Sequence, residues 1–180
     1  QMLKDADVDA VILAIGSSPI TIKLEGMDKL QHASAPEVLR HEVCPKGKVA
    51  VIGGGLVGLE TADTLATDGC DVTVLEMKDE IGSDLGSLRK IAVMMKLQQV
   101  KMLPNSKVCK FTEEGIVLED ETLVPCNCAV FAVGFASNDS HLLVEECEKR
   151  QIPCRVIGDA KSARRALDAI AEGFEAARTL

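Results

Sequence analysis

Three glycines, Gly53, Gly55 and Gly58, stand in the spacing G-x-G-x-x-G, and an acidic residue, Glu76, follows 18 positions after the last of them. That combination suits a dinucleotide. Gly53 can make a tight turn, Gly55 carries no side chain to block a pyrophosphate, and Gly58 lets a helix approach a strand closely. The N–H groups of Leu56 and Val57 open that helix, and they offer the phosphates free donors and the positive end of a helix dipole. Glu76 is placed to accept hydrogen bonds from a ribose diol. A carboxylate at that place repels the 2′-phosphate of NADP, so NADH is expected over NADPH; Lys78 lies close by, but no arginine stands beside Glu76. The motif does not separate NADH from FAD, whose adenosine ribose is held by the same type of residue. Glu60, two residues past the last glycine, can be read as reaching toward a nicotinamide ring or as a solvated helix residue. Hydride transfer between nicotinamide and flavin depends on positioning rather than on a side-chain acid or base, and no catalytic residue is assigned.

The remaining chemistry-bearing residues point away from metals and nucleic acids. None of the seven cysteines forms a C-x-x-C pair, and Cys126-x-Cys128 is too close a spacing for the usual chelate. They read as small apolar thiols in a reducing compartment. The three histidines are isolated, and no metal site is expected. With 28 acidic against 20 basic residues the formal charge is −8, which repels phosphate backbones and anionic membrane surfaces. The chain has no Trp or Tyr to stack on bases. No stretch of about 18 apolar residues and no basic-then-apolar leader occurs, so neither a spanning helix nor a secretory signal is expected and the default compartment is cytoplasmic.

The elements that must position these residues follow from hydrophobic periodicity. Residues 48–52 read Lys-Val-Ala-Val-Ile, a strand buried on both faces. Leu56, Leu59, Ala62, Leu65 and Ala66 recur at helical spacing up to Gly69, and 71–76 is the next strand. The segment 48–76 is thus a β-α-β unit. A second helix is expected between Leu85 and Leu97, a third parallel strand over 100–103, and short meander strands over 107–111, 115–118 and 122–124. Residues 128–134 form a further buried strand ending at Gly134, and residues 9–16 echo it: each is an apolar run closing in Ala-x-Gly before a turn containing Ser. The echo suggests two related nucleotide-binding domains, one whole and one partial. Near the end, Val156-Ile157-Gly158-Asp159-Ala160 leads into a helix with the face Ala163, Ala166, Leu167, Ile170, Phe174 and Ala177. That segment is a plausible ligand edge, and it reads equally as an ordinary closing αβ element. The fold class is α/β: a Rossmann-like three-layer dinucleotide-binding domain with a β-meander, flanked by partial domain segments.

Taken in order, three segments carry a family resemblance: residues 11–19 (VILAIGSSP), 51–60 (VIGGGLVGLE), and 157–160 (IGDA) with 163–173 (ARRALDAIAEG). With these motifs the chain resembles the C-terminal region of the 2,4-dienoyl-CoA reductase and enoate reductase family, larger relatives of old yellow enzyme. The resemblance covers nearly the full chain, and its last motif, with the Arg-Arg pair, is the most specific. It implies that an N-terminal barrel carries FMN and an iron-sulfur cluster. It also implies an FAD domain interrupted by an inserted NAD(P)H domain, with electrons passing from nicotinamide to FAD, through the cluster to FMN, and on to an activated alkene. Residues 46–135 would then be the NAD(P)H-binding domain. Residues 1–45 would be a partial FAD-domain segment and linker, and 136–180 the returning FAD-domain segment. Gly134 falls in the turn that would contact a cofactor, and Gly158 and Asp159 match the Gly-Asp that contacts the flavin's ribityl or phosphate region. The helix start near Ala163 would face the FAD.

Departures from the family pattern bear on what the chain can do. No second glycine fingerprint is present, and the barrel, the cluster cysteines and the FMN site are absent from the sequence, so a fragment of a larger enzyme is expected. Its partners would be the dinucleotide and the N-terminal barrel and FAD half-domain of the same polypeptide. Ile15 and Val133 replace the Thr common in the Ala-Thr-Gly turns. Alone, the chain should bind NADH without reducing an alkene. Two rival readings are a pyridine nucleotide-disulfide oxidoreductase, disfavoured by the missing cysteine pair, and a freestanding NADH-sensing module.

Overall fold

The computed structural model describes residues 8–180, so residues 1–7 of the predicted first segment lie outside the described residues. The chain divides into two compact units, residues 21–134 and residues 8–20 with 135–180. The outer unit contains β1 (Val11–Leu13) and β2 (Ser17–Pro19) before the central one begins. The central unit runs β3 (Gln31–Ser34), α1 (Ala35–Leu39), β4 (Lys48–Ile52), α2 (Leu56–Thr67), β5 (Asp71–Leu75), α3 (Ser87–Lys96), β6 (Lys101–Leu103), β7 (Val108–Thr112), β8 (Gly115–Leu118), β9 (Leu123–Pro125) and β10 (Cys128–Phe131). The outer unit resumes with β11 (Phe135–Ser137), α4 (His141–Lys149), β12 (Cys154–Val156) and α5 (Ala166–Thr179).

Strands that are apolar at nearly every position need cover on both faces, and the central unit supplies it. Its sheet is parallel, in the order β3-β10-β4-β5-β6. Because side chains alternate across a strand, Val49, Val51, Val72, Val74 and Val130 fall in one core with Leu59, Ala62 and Leu65 of α2 and Val38 of α1. Their neighbours Ala50, Ile52, Leu75, Ala129 and Phe131 fall in another, with Phe111, Ile116, Leu118 and Val124 of the antiparallel meander β7-β8-β9. Helices, sheet and meander are the three expected layers. The chain leaves β4 toward β5 on one side and β10 flanks β4 on the other, so the carboxyl ends of these three strands meet at the kind of crevice where open α/β sheets take ligands.

The β-α-β unit, the second helix and the meander stand where the periodicity puts them. Two central elements were not anticipated. β3 reads Gln-His-Ala-Ser, with no apolar alternation; it is an edge strand that exists through its pairing with β10. α1 is too short for periodicity to show, although its start carries a capping box in which the backbone N–H of Ser34 donates to Glu37 Oε2 at 2.7 Å and the hydroxyl of Ser34 at 2.6 Å. With both elements packed into the sheet, residues 21–45 go with the central unit rather than with the first segment, and the boundary expected at 45 falls at 20.

In the outer unit β1 pairs in parallel with β12, in the register Val11↔Cys154 and Leu13↔Val156, and β2 pairs antiparallel with β11. The C-terminal helix differs from expectation in two respects. It starts at Ala166 rather than near Ala163, because Asp168 accepts the backbone N–H of Arg165 at 3.2 Å while Asp159 holds the N–H of Arg164 at 3.2 Å outside the helix. Its predicted apolar face is also not packed: Leu167, Ile170 and Phe174 are 76%, 69% and 71% exposed, and Ala176 is the buried residue of α5.

Candidate functional site

The glycine loop leaves β4 at Gly53, whose φ of +109° suits glycine, and a Cβ there would collide with the carbonyl oxygen of Ala132. The N–H of Gly53 continues the sheet by donating to Leu75 O at 2.8 Å, and that of Ala132 donates to Ile52 O at 2.8 Å. Gly58, on the first turn of α2, comes so close to the loop that a Cβ would overlap the carbonyl oxygen of Gly53. The helix start is thereby pressed against the end of the sheet, and its first N–H groups are aimed over the carboxyl ends of the strands.

Glu76, one residue past β5, is 9% exposed. Its Oε2 accepts the N–H of Gly54 at 2.7 Å and its Oε1 the N–H of Lys78 at 2.9 Å. These two bonds fix the carboxylate against the glycine loop, and each oxygen retains a lone pair for a further donor. Above the strand ends lies a cleft of about 540 Å³ lined by Gly53, Gly55, Leu56, Val57, Glu76 and Gly134. Ile22, Leu24, Val108 and Val133 contribute an apolar wall to the same cleft. A groove that joins helix-start donors, a buried acceptor and apolar walls has the chemistry to hold a phosphorylated ribose and a flat ring.

Six of the ten predicted site residues thus share one cleft, with Gly58 behind the loop. Glu60 does not join them: it points out from α2 and pairs with Arg89 at 3.1 Å, with 48% of its side chain exposed. Gly158 and Asp159 belong to the outer unit, where they line a cavity of about 390 Å³ with Gly16, Arg164 and Ala169. There Asp159 accepts the Ser17 hydroxyl at 3.1 Å. The N–H of Gly158, at φ +61°, donates to Glu172 Oε2 at 2.8 Å. The Arg164 guanidinium, that N–H and Lys161 hold the Glu172 carboxyl down at about 2.

Sequence reasoning missed Ile22 and Leu24, which precede the glycine loop by some thirty residues and carry no local signal, and Asp84, which accepts the N–H of Leu56 at 3.0 Å. The cysteines match their reading as apolar thiols where they are buried: burial pushes Cys126 and Cys128 up to about 11. Among the described residues no group of three or more His, Cys, Asp or Glu is placed to hold a metal, and no helix is long and apolar enough to cross a membrane.

Known proteins share this architecture. The family model of the pyridine nucleotide-disulphide oxidoreductases matches residues 3–160. A cinnamate reductase from Clostridium sporogenes is 34% identical over 99% of this chain, and an NADH oxidase from Thermoanaerobacter brockii is 32% identical over 94%. The chain spans 27% of the length of each. Among solved structures, a 2-naphthoyl-CoA reductase in complex with 2-naphthoyl-CoA superposes with a TM-score of 0.85 over 96% of this chain and 27% of its own, at 24% identity, a likeness of fold.

Proposed function

Because the chain belongs to the pyridine nucleotide-disulphide oxidoreductase family, we propose that residues 21–134 bind NADH and present it for hydride transfer to FAD, in a larger enzyme that reduces an activated alkene of the enoate or dienoyl-CoA type. The observation that carries this reading is Glu76, buried at the end of β5 and tied to the glycine loop, where it accepts a ribose diol and repels a 2′-phosphate. Gly53 and Gly58 set the loop, Gly55 adds no side chain of its own to the phosphate path, and the start of α2 faces the charge. When bound, NADH supplies the hydride and FAD receives it. The chain's own residues orient the coenzyme, and none is assigned as an acid or base. Gly158 and Asp159 are assigned to the FAD in the outer unit, whose two segments are read as returning pieces of an FAD domain. FMN and an iron-sulfur cluster belong, on this reading, to an N-terminal barrel of the same polypeptide. The names of the cinnamate reductase and NADH oxidase relatives support the alkene and the coenzyme respectively.

The test is a calorimetric titration of the chain with NADH, NADPH and FAD in parallel. NADH is expected to bind at least about tenfold more tightly than NADPH, a difference of about 1.4 kcal/mol. Binding of FAD to the glycine-loop cleft in place of NADH would overturn the assignment.

A further inference from the structure

The donor that the pyrophosphate needs is already engaged by an anion from the chain itself. Leu56 opens α2, and its backbone N–H is one of the donors a helix start leaves without an intrahelical partner. It donates to Asp84 Oδ2 at 3.0 Å. The same oxygen lies 3.2 Å from where a Cβ of Gly55 would be, so it fills the space that the missing side chain leaves open. Asp84 is brought there by its loop: the N–H of Gly82 donates to the carbonyl of Gly54 at 2.7 Å, and that of Leu85 to Gly82 O at 3.1 Å. It lines the cleft beside Gly55 and Leu56. A carboxylate is attracted to this position by the helix dipole, as a phosphate is.

We propose that Asp84 is an internal competitor for the pyrophosphate site, a residue that sets coenzyme affinity by occupying the helix-start donor in the free protein and leaving it when a dinucleotide binds. The inference rests on the reading of the cleft as an NADH site. It assigns a role to the loop between β5 and α3: the loop stays pinned at Gly82 while its carboxylate yields. Asp84 acts on the pyrophosphate, which NADH and NADPH share, whereas Glu76 acts on the ribose by which they differ.

The experiment is NADH titration of the wild-type chain, Asp84→Asn, and Asp68→Asn as a control. The Asn amide oxygen keeps an acceptor for the Leu56 N–H while removing the charge, and Asp68 undergoes the same charge change at the opposite end of α2. Asp84→Asn is expected to tighten NADH binding about twofold to fivefold, the scale of an exposed charge at a helix start, while Asp68→Asn leaves it unchanged. Should thermal melting show that the Asn variant has unfolded, Asp84→Ser, with a hydroxyl acceptor, takes its place. Equal or weaker binding by the Asp84 variant overturns the inference, and so does equal tightening by both variants, since that would report net charge alone. Absence of NADH binding in both the wild type and the Asp84 variant would instead remove the coenzyme reading and the inference with it.

Discussion

Two runs of nearly the same sequence, residues 9–16 and 128–134, each an apolar strand closing in Ala-x-Gly, end in different surroundings. In the central unit β10 lies between β3 and β4, is covered on both faces, and has Val130 fully buried. In the outer unit β1 has one partner among the described residues, β12, and Ile12 is 41% exposed. The local pattern makes a strand in both places; neighbours supplied from elsewhere in the chain decide whether that strand becomes core. The central unit has closed its layers around a sheet, while α5 of the outer unit presents Leu167, Ile170 and Phe174 to solvent.

The largest effect that would break this contrast is expected at the centre. Phe111 is 2% exposed and lies 6.0 Å, centroid to centroid, from Phe131 between meander and sheet. Phe111→Ala should cost about 3–5 kcal/mol in a urea unfolding titration, because deleting a large buried ring removes its transfer energy and leaves a cavity. A cost below about 1 kcal/mol would mean that the meander layer is not closed over the sheet.

Next in size is the cleft. Glu76→Ala should weaken NADH about tenfold to a hundredfold, in line with about 1.5–3 kcal/mol for hydrogen bonds to a charged group, and should relax the rejection of NADPH. Unchanged calorimetric affinities for both coenzymes would remove Glu76 from the ribose site. The matching acid in the outer unit is Glu172, whose effect is read in pH. Its carboxyl is lowered from 4.5 to about 2, so the stability it contributes is fully present above about 4.5 and is lost as pH falls through about 2. Glu172→Gln should therefore be less stable than the wild type at neutral pH, and the gap should close between about pH 4.5 and 2 in thermal melts. A gap that persists unchanged at pH 2 would show that the Arg164, Lys161 and Gly158 contacts do not depend on ionisation.

Much of the centre was readable in the sequence because its signals are local. Strand 48–52, the glycines, the helix to Thr67 and Glu76 lie within thirty residues, and each step has a physical rule of its own. What was missed depends on contacts across the chain. Ile22 and Leu24 reach the cleft beside Glu25, which bridges to Lys110 of the meander and whose carbonyl accepts the N–H of Phe111 at 2.8 Å, and no periodicity in residues 21–45 announces that. Asp84 reaches Leu56 because two backbone bonds fold its loop back, and those bonds leave no mark on side-chain types. The family match runs along the nucleotide-binding architecture over residues 3–160, so the missing C-x-x-C pair does not weigh against it. In the outer unit the residues of the helix face are apolar, but apolarity alone does not say what will cover them.

The smallest expected effect therefore sits on that face. Phe174→Ala removes a ring as large as that of Phe111, yet at 71% exposure the ring has lost little contact with water. Its removal should change stability by no more than about 0.5 kcal/mol, the usual range for a surface substitution away from special features. The same urea titration used for Phe111→Ala measures it, and the two variants form a pair with identical chemistry and different surroundings. If Phe174→Ala costs as much as Phe111→Ala, the α5 face is packed in solution and the contrast between the two units fails. If it costs nothing while Phe111→Ala is severe, ring size is eliminated as the cause and burial alone accounts for the difference.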